Sequence, residues 1–126
     1  MRRPVDTPAA PRPIGPYSQA IDTGTLVFCA GQIGLDPATG ALVEGGAAAE
    51  AAQAIRNLAA VLSALGLGLA DVVKTTLFLV DLQDGPAVSA IYAREFAAPY
   101  PARSTVQVAA LPAGASVEVE AIAVRR

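Results

Sequence analysis

The strongest structural signal in this chain is a strict two-residue alternation from Ser116 to Val124. One set of alternating positions is entirely aliphatic: Val117, Val119, Ala121 and Ala123. The other set combines two carboxylates with two aliphatic residues: Glu118, Glu120, Ile122 and Val124. Because successive side chains of a β-strand point to opposite faces of a sheet, the segment predicts a strand with one apolar face and one mixed face. The chain must therefore build a sheet and cover at least one side of it.

Two segments have the spacing of three and four between apolar residues that is typical of amphipathic helices. They are residues 47–65, which end at Gly66, and residues 87–97, which begin after Pro86. Runs rich in strand-forming residues predict strands at 17–21, 25–30, 72–80 and 104–109, a shorter strand at 41–43, and a loop at 31–40. This order predicts an α+β fold, a single domain over residues 1–126 with one mixed sheet and two helices on one face.

The first 16 residues contain five prolines, which remove backbone donors and keep the segment extended. We expect residues 1–13 to form a proline-rich arm, either as a tail or along a sheet edge. On the face of the sheet opposite the helices, Phe78, Val80 and Ile122 accompany Lys74. Since a half-apolar face usually needs a cover, we also expect an oligomer.

Composition excludes several kinds of chemistry. The chain has no histidine and a single cysteine, Cys29, so a Cys/His zinc site, a Ser-His triad and a Cys-His nucleophile are all impossible. A net charge of -2 argues against nucleic acid as a partner. The apolar region 58–70 is too short to span a bilayer, and one thiol forms no internal disulfide, so we expect a cytoplasmic protein without membrane contact.

Glu118 and Glu120 are the first candidates for acid–base chemistry. They share a strand face with aliphatic residues, and desolvation together with a neighbouring like charge raises the pKa of a carboxyl group. The alternative is a pair of solvated surface glutamates, which is the usual state of this residue type.

Three other positions are candidates for binding. Arg103 follows Pro99 and Pro101 into a strand, where its guanidinium is suited to a bidentate hold on a carboxylate; the alternative is an ordinary surface arginine or a structural ion pair. Tyr17 leaves a Gly-Pro corner with its phenol available to a substrate, or else packs as a half-buried residue. Gly31 exposes backbone amides that suit an oxyanion, or else forms a plain turn.

Five segments then occur in one order: 14–20 (Ile-Gly-Pro-Tyr-Ser-Gln-Ala), 30–33 (Ala-Gly-Gln-Ile), 73–76 (Val-Lys-Thr-Thr), 101–104 (Pro-Ala-Arg-Ser) and 117–123 (Val-Glu-Val-Glu-Ala-Ile-Ala). Together they resemble the reactive intermediate deaminase family, also called YjgF-like, and in particular its RidA branch. The likeness extends from about Pro13 through Arg126.

The resemblance implies a chorismate-mutase-like fold and a homotrimer whose sheets form a central barrel, with three sites in the clefts between subunits. It also implies hydrolysis of 2-imino acids to 2-oxo acids and ammonia, with no cofactor and no metal. By position, Arg103 matches the arginine that binds the substrate carboxylate, and Glu118 matches the glutamate that holds the hydrolytic water. Tyr17 matches the pocket tyrosine, while Gly31 and the backbone of Thr105 match main-chain contacts.

Three positions depart from the family pattern. Ala30 stands where a serine is usual, which removes a hydroxyl from the implied pocket and its substrate contacts. Thr105 stands where a cysteine is common, and Ser89 stands where many relatives have asparagine.

The residues fit the implied reaction, because an iminium carbon is already electrophilic and needs only a held carboxylate and an aimed water. Glu118 would move the protons, Arg103 would orient the substrate, and Tyr17 would close the cleft. Two other functions stay open. One is a non-catalytic protein of the same fold that binds a 2-oxo acid or an amino acid, and the other is an RNA-cleaving translation inhibitor.

Overall fold

One mixed sheet of six strands organises the protein, whose computed structural model describes every residue from Met1 to Arg126. The strands are β1 (Arg3–Val5), β2 (Ala20–Asp22), β3 (Leu26–Ile33), β4 (Val72–Leu79), β5 (Ala102–Gln107) and β6 (Val117–Val124). The helices are α1 (Gly46–Ser63) and α2 (Gly85–Glu95), and short 3-10 turns lie at 69–71, 82–84 and 112–114. The strand order is β1-β2-β3-β6-β4-β5, and only the β4–β5 pair is parallel.

Both helices cover the same face of the sheet. The apolar stripe of α1 (Ile55, Leu58, Val61 and Leu62) and the inner residues of α2 (Val88, Tyr92 and Phe96) join one buried core with the aliphatic face of β6. Val117, Val119, Ala121 and Ala123 are all buried there, whereas Glu118, Glu120, Ile122 and Val124 point to the other face. The α+β architecture expected from the alternation and the helical spacing is confirmed.

Three predicted element boundaries are wrong. The strand predicted at 104–109 is β5, which begins two residues earlier, so Arg103 lies inside it. The strand predicted at 17–21 is β2, which begins only at Ala20, so Tyr17 lies in a loop. Pro16 lacks the backbone donor that a strand needs. The Gln19 side chain also donates to the carbonyls of Thr7 and Pro11, which ties residues 17–19 to the N-terminal arm. The loop predicted at 31–40 begins late, because β3 continues through Gly31 to Ile33 by means of a register shift between Cys29 and Gln32.

The remaining differences concern the sheet margins. The short strand predicted at 41–43 is reduced to an isolated bridge between Leu35 and Leu42. The proline-rich arm lies along an edge of the sheet: β1 pairs antiparallel with β2, with Pro4 opposite Ile21. An edge strand tolerates proline because one side of its backbone has no partner.

The face opposite the helices is only partly polar. Phe28, Val106 and Val124 are exposed on it, each between 37% and 45%, around the polar side chains of Lys74 and Glu120. Strand β1 forms one edge of the sheet, and β5, which pairs with β4 alone, forms the other. Neither helix is both long enough and apolar enough to cross a membrane.

Candidate functional site

The largest described cavity lies beside β3 and β6, with a volume of about 520 Å³. The N-terminal arm forms one wall, the middle and end of β3 form another, and the 112–114 turn closes a third side. Its lining includes Tyr17, Ala30, Gly31 and Glu118. Four of the residues expected at the site from the sequence are therefore brought together within one chain.

Gly31 is what allows the Glu118 carboxyl group to lie in this cavity. A Cβ atom built on Gly31 would overlap the Glu118 carboxylate, with its Cδ only 2.7 Å away. The backbone of Gly31 does not require positive φ, so the need for glycine here is one of space. The register shift between Cys29 and Gln32 displaces β3 locally at this point, and the carboxyl group rests against the bare backbone.

The environment of Glu118 favours its protonated form. Burial raises the pKa of Glu118, and the like charge of Glu120 on the same strand face raises it further. These are the two causes expected from the alternation in β6. Glu120 itself is exposed, so the two carboxylates that look equivalent in sequence have different surroundings.

The N-terminal arm is held as a wall of the cavity by one buried side chain, Gln19. Its Oε1 accepts a hydrogen bond from the Thr7 N–H at 2.7 Å, and its Nε2 donates to the carbonyls of Thr7 and Pro11, both at 3.0 Å. Farther along, the Ile14 N–H donates to the Tyr17 hydroxyl at 3.3 Å. The proline-rich arm, predicted from the sequence as either a tail or a segment along a sheet edge, therefore has a defined path along the cavity.

Ala113 lies in the turn that closes the cavity and has left-handed backbone angles, with φ 58° and ψ 19°. A residue with a Cβ pays conformational strain in this region. Non-glycine residues in such a conformation are enriched at functional sites, and this one lines the same cavity as Glu118.

Arg103 lies elsewhere, in a separate and more open cleft against α2. Its guanidinium carbon is 4.8 Å from the centre of the Tyr92 ring, and its Nη2 donates to Ser89 Oγ at 3.1 Å. Tyr92 in turn shares a buried hydrogen bond of 2.8 Å with Thr75. Arg103 is exposed but not free, because a ring and a hydroxyl of α2 direct it.

Thr105 is a half-buried residue of the edge strand β5. The N–H of Val108 donates to the Leu79 carbonyl of β4, and ladder groups alternate along a parallel strand. The backbone groups of Arg103, Thr105 and Gln107 must then face away from β4, where no strand pairs with them. The Thr105 N–H therefore lies on the free edge of β5, two residues along the strand from Arg103.

The structure does not bring Arg103 and Glu118 together within one chain. Register places Arg103 beside Thr75, on the helix-covered face, and Glu118 beside Phe78, on the other face, with β4 between their two strands. Inside a single copy these two groups do not meet, and the resemblance implies a site in a cleft between subunits. They can share one site only if the free edge of one copy meets the cavity of another.

Sequence reasoning missed several residues that build these two regions: Arg12, Gln19, Tyr92 and Ala113. Gln19 stands inside a segment already noted, but nothing in its spacing shows that its amide holds residues twelve positions earlier. No group of three or more His, Cys, Asp or Glu side chains is placed to hold a metal ion.

Comparisons with known proteins assign the family. The profile of the family described as Endoribonuclease L-PSP matches residues 7–125, and the chain belongs to this family. A human protein named 2-iminobutanoate/2-iminopropanoate deaminase is 46% identical over 125 residues, 99% of this chain and 91% of its own. The resemblance to reactive intermediate deaminases is confirmed.

Solved structures agree with this assignment. RidA from a Psychrobacter species superposes with a TM-score of 0.95 at 43% identity, covering 98% of this chain and 100% of its own. TdcF from E. coli, solved with bound serine, superposes with a TM-score of 0.93 at 40% identity, covering 98% of this chain and 99% of its own.

Proposed function

We propose that this protein is an imine deaminase that hydrolyses 2-imino acids, such as 2-iminobutanoate and 2-iminopropanoate, to 2-oxo acids and ammonia. The observation that carries the proposal is the Glu118 carboxyl group, which rests over Gly31 in the largest cavity with its pKa raised. The names of relatives 46–48% identical over 99% of the chain support the substrate class.

The binding site for the substrate carboxylate lies at the edge of β5. The Arg103 guanidinium and the outward Thr105 N–H bind the substrate carboxylate, since a planar fork with an adjacent amide matches that group. Tyr92 and Ser89 hold the guanidinium before the substrate arrives, which lowers the entropic cost of binding.

Glu118 handles the protons. Its carboxylate accepts a proton from a water molecule that forms a bond to C2 of the iminium group, which gives a tetrahedral aminol. The protonated Glu118 then returns the proton to the nitrogen. As the C–N bond breaks, the hydroxyl proton of the aminol passes to the Glu118 carboxylate and on to the departing ammonia, so ammonium and the 2-oxo acid leave. A raised pKa suits a group that must both accept and return a proton, and such catalysis contributes roughly 10²–10⁴-fold. Tyr17 and the backbone of Gly31 line the space around the reacting carbon.

The complete site forms between copies of the chain in a homotrimer. Within one chain, Arg103 and Glu118 lie on opposite faces of the sheet, whereas the free edge of β5 and the half-apolar open face both lack partners. An arrangement in which the β5 edge of one copy reaches the Glu118 cavity of the next joins the two halves and covers apolar surface.

The test is complementation between two defective variants. Arg103→Ala and Glu118→Gln, made separately, are each expected to stay trimeric and to lose at least about a hundredfold in turnover of freshly generated 2-iminobutanoate. Co-expressed in equal amounts, they are expected to recover about a quarter of wild-type activity, because one ordered interface in four pairs an intact Arg103 with an intact Glu118.

Arg56→Ala, on the exposed side of α1, is the matched control for removal of an arginine. Wild-type turnover in Arg103→Ala would overturn the role of the guanidinium, and no recovery in the mixed trimers would overturn the shared site. If the wild-type protein binds a 2-oxo acid but accelerates no imine hydrolysis, it is a binding protein of the same fold.

RNA cleavage is a second candidate, because the printed description of the matching family is an endoribonuclease. The cavity contains a single arginine and a single glutamate as its charged residues, and the chain carries a net charge of -2. Both facts disfavour a phosphate backbone as ligand. Incubation of the purified trimer with single-stranded RNA, with Glu118→Gln as control, tests this candidate directly.

A further inference from the structure

Arg12 is the only cationic residue that lines the large cavity, and the proposed reaction does not use it. Its guanidinium pairs with the Asp6 carboxylate at 4.0 Å, and both side chains are more than 70% exposed. An exposed pair at this distance contributes little, so the guanidinium keeps most of its five N–H donors for a ligand.

The backbone at Arg12 is held in place. Pro11 and Pro13 restrict it on both sides, and the Gln19 amide bonds to the carbonyls of Thr7, Ala10 and Pro11 immediately before it. Gln19 is itself 1% exposed, so the anchor of the arm belongs to the buried interior. The Arg12 side chain is largely in solvent, but it starts from a fixed point on the border of the cavity, within reach of a ligand that extends outward.

Arg12 and Glu118 face the same cavity without neutralising one another. They form no ion pair, and the one charge that shifts the pKa of Glu118 is that of Glu120. The cavity of about 520 Å³ lies within the usual size range for ligand sites and is much larger than a four-carbon imino acid requires. Space therefore remains in this cavity beyond a reacting carbon placed at Glu118.

We propose that Arg12 is a specificity residue that favours 2-imino acids whose side chain ends in a carboxylate. This proposal rests on the proposed deaminase function. The α-carboxylate of such a substrate is held by Arg103 of the neighbouring copy, C2 lies at Glu118, and the side chain extends along the arm to Arg12. The substrate class is that of imines derived from acidic amino acids, in addition to the small neutral ones.

Binding of product acids tests the proposal without relying on turnover. Calorimetry on the wild-type trimer compares 2-oxoglutarate with 2-oxobutanoate, and the ratio of their Kd values is the quantity of interest. Arg12→Ala is expected to reduce the relative affinity for 2-oxoglutarate about fivefold, as loss of one partly exposed ion pair does. Arg12→Lys is expected to recover part of it, and Asp6→Asn to leave it nearly unchanged, because the exposed pair with Asp6 contributes little.

Arg2→Ala is the matched control, since Arg2 lies on the same arm, is exposed and does not line the cavity. The same ratio is then measured as kcat/KM with imines that an amino-acid oxidase generates from glutamate and from 2-aminobutanoate. An unchanged Kd ratio in Arg12→Ala overturns the proposal, even if neutral imines are hydrolysed. Arg12-dependent binding without any imine hydrolysis overturns the deaminase function and leaves the carboxylate site standing.

Discussion

The Glu118 cavity and the Arg103 cleft are built by opposite means. Glu118 is enclosed: an arm clamped by Gln19, a displaced strand at Gly31 and a strained turn surround a partly buried carboxyl group. Arg103 is exposed at the free edge of the sheet and is directed only by Tyr92 and Ser89.

The difference follows from what each group does in the proposed reaction. A proton carrier benefits from desolvation, which brings its pKa closer to the working pH, and one chain supplies all the atoms that desolvate it. A guanidinium stays charged in any surroundings and needs only direction, so it is suited to an edge that another copy must meet. A substitution in one region leaves the other region intact, so the effects of the two regions on kcat and on substrate binding can be measured separately.

The largest effect is expected from Gly31→Ala. The added Cβ would overlap the Glu118 carboxyl group and drive it out of position, whereas the Arg103 cleft lies on the other face of the sheet and stays unchanged. We expect about a hundredfold loss in kcat, the lower range for a misplaced general base, with little change in the Kd for a 2-oxo acid. Stopped-flow assay of 2-iminobutanoate together with calorimetry measures both. An equal loss in both quantities would show that the two regions are not separable.

A smaller effect, on KM rather than on kcat, is expected from Ser89→Ala. It removes the hydroxyl that accepts from Arg103 Nη2, and the guanidinium becomes less ordered. We expect KM to rise about fivefold with kcat nearly unchanged, since the loss concerns one exposed hydrogen bond to a charged group.

Tyr92→Phe is the control for this cleft. It retains the ring under Arg103 but removes the buried bond to Thr75, so we expect it to lower the free energy of unfolding by about 1 kcal/mol without the change in KM. A large fall in kcat for Ser89→Ala would contradict the division of roles.

The pH dependence sharpens the comparison further. Glu118 must be ionised to accept a proton, so activity falls as the pH drops through its pKa, and that pKa is raised by burial and by Glu120. The acid limb of kcat/KM is therefore expected above the ordinary value for glutamate, which is about 4.3. Glu120→Gln removes the like charge, lowers the pKa of Glu118 and moves the limb to lower pH. The pH profiles of the two proteins measure the shift, and a limb that moves upward in Glu120→Gln would exclude Glu118 as its source.

The smallest effect is expected from Ala113→Gly, which concerns the wall of the cavity and not its chemistry. Glycine adopts φ near 58° without steric cost, so the free energy of unfolding is expected to rise by about 0.5–1 kcal/mol. Denaturant unfolding at fixed protein concentration measures it. A destabilised variant would mean that the Ala113 methyl group packs usefully where it is.

Local sequence patterns predicted much of the secondary structure and the surroundings of Glu118, because these features depend on interactions between residues close together in the chain. The alternation in β6 predicted which residues the helices bury and which carboxylates share a face, and the same alternation predicted both causes of the raised pKa of Glu118. The helical spacing predicted α1 and α2 to within two residues at each end. Composition alone excluded histidine chemistry.

Other features depend on contacts between distant segments, and no local pattern reports them. Tyr17 was predicted in a strand and lies in a loop, because Gln19 binds the arm and the strand starts later. Gly31 was predicted to follow a strand and lies inside one, because β6 pairs with β3 beyond the register shift.

The sequence by itself determined the two-layer architecture, the pair of carboxylates on one strand face and the family, since periodicity and ordered motifs are properties of the chain alone. Only the tertiary structure decided that Arg103 and Glu118 stand on opposite faces of the sheet and that Arg12 lies at the border of the Glu118 cavity. Strand order and register set those placements, and they arise from the packing of segments far apart in the chain.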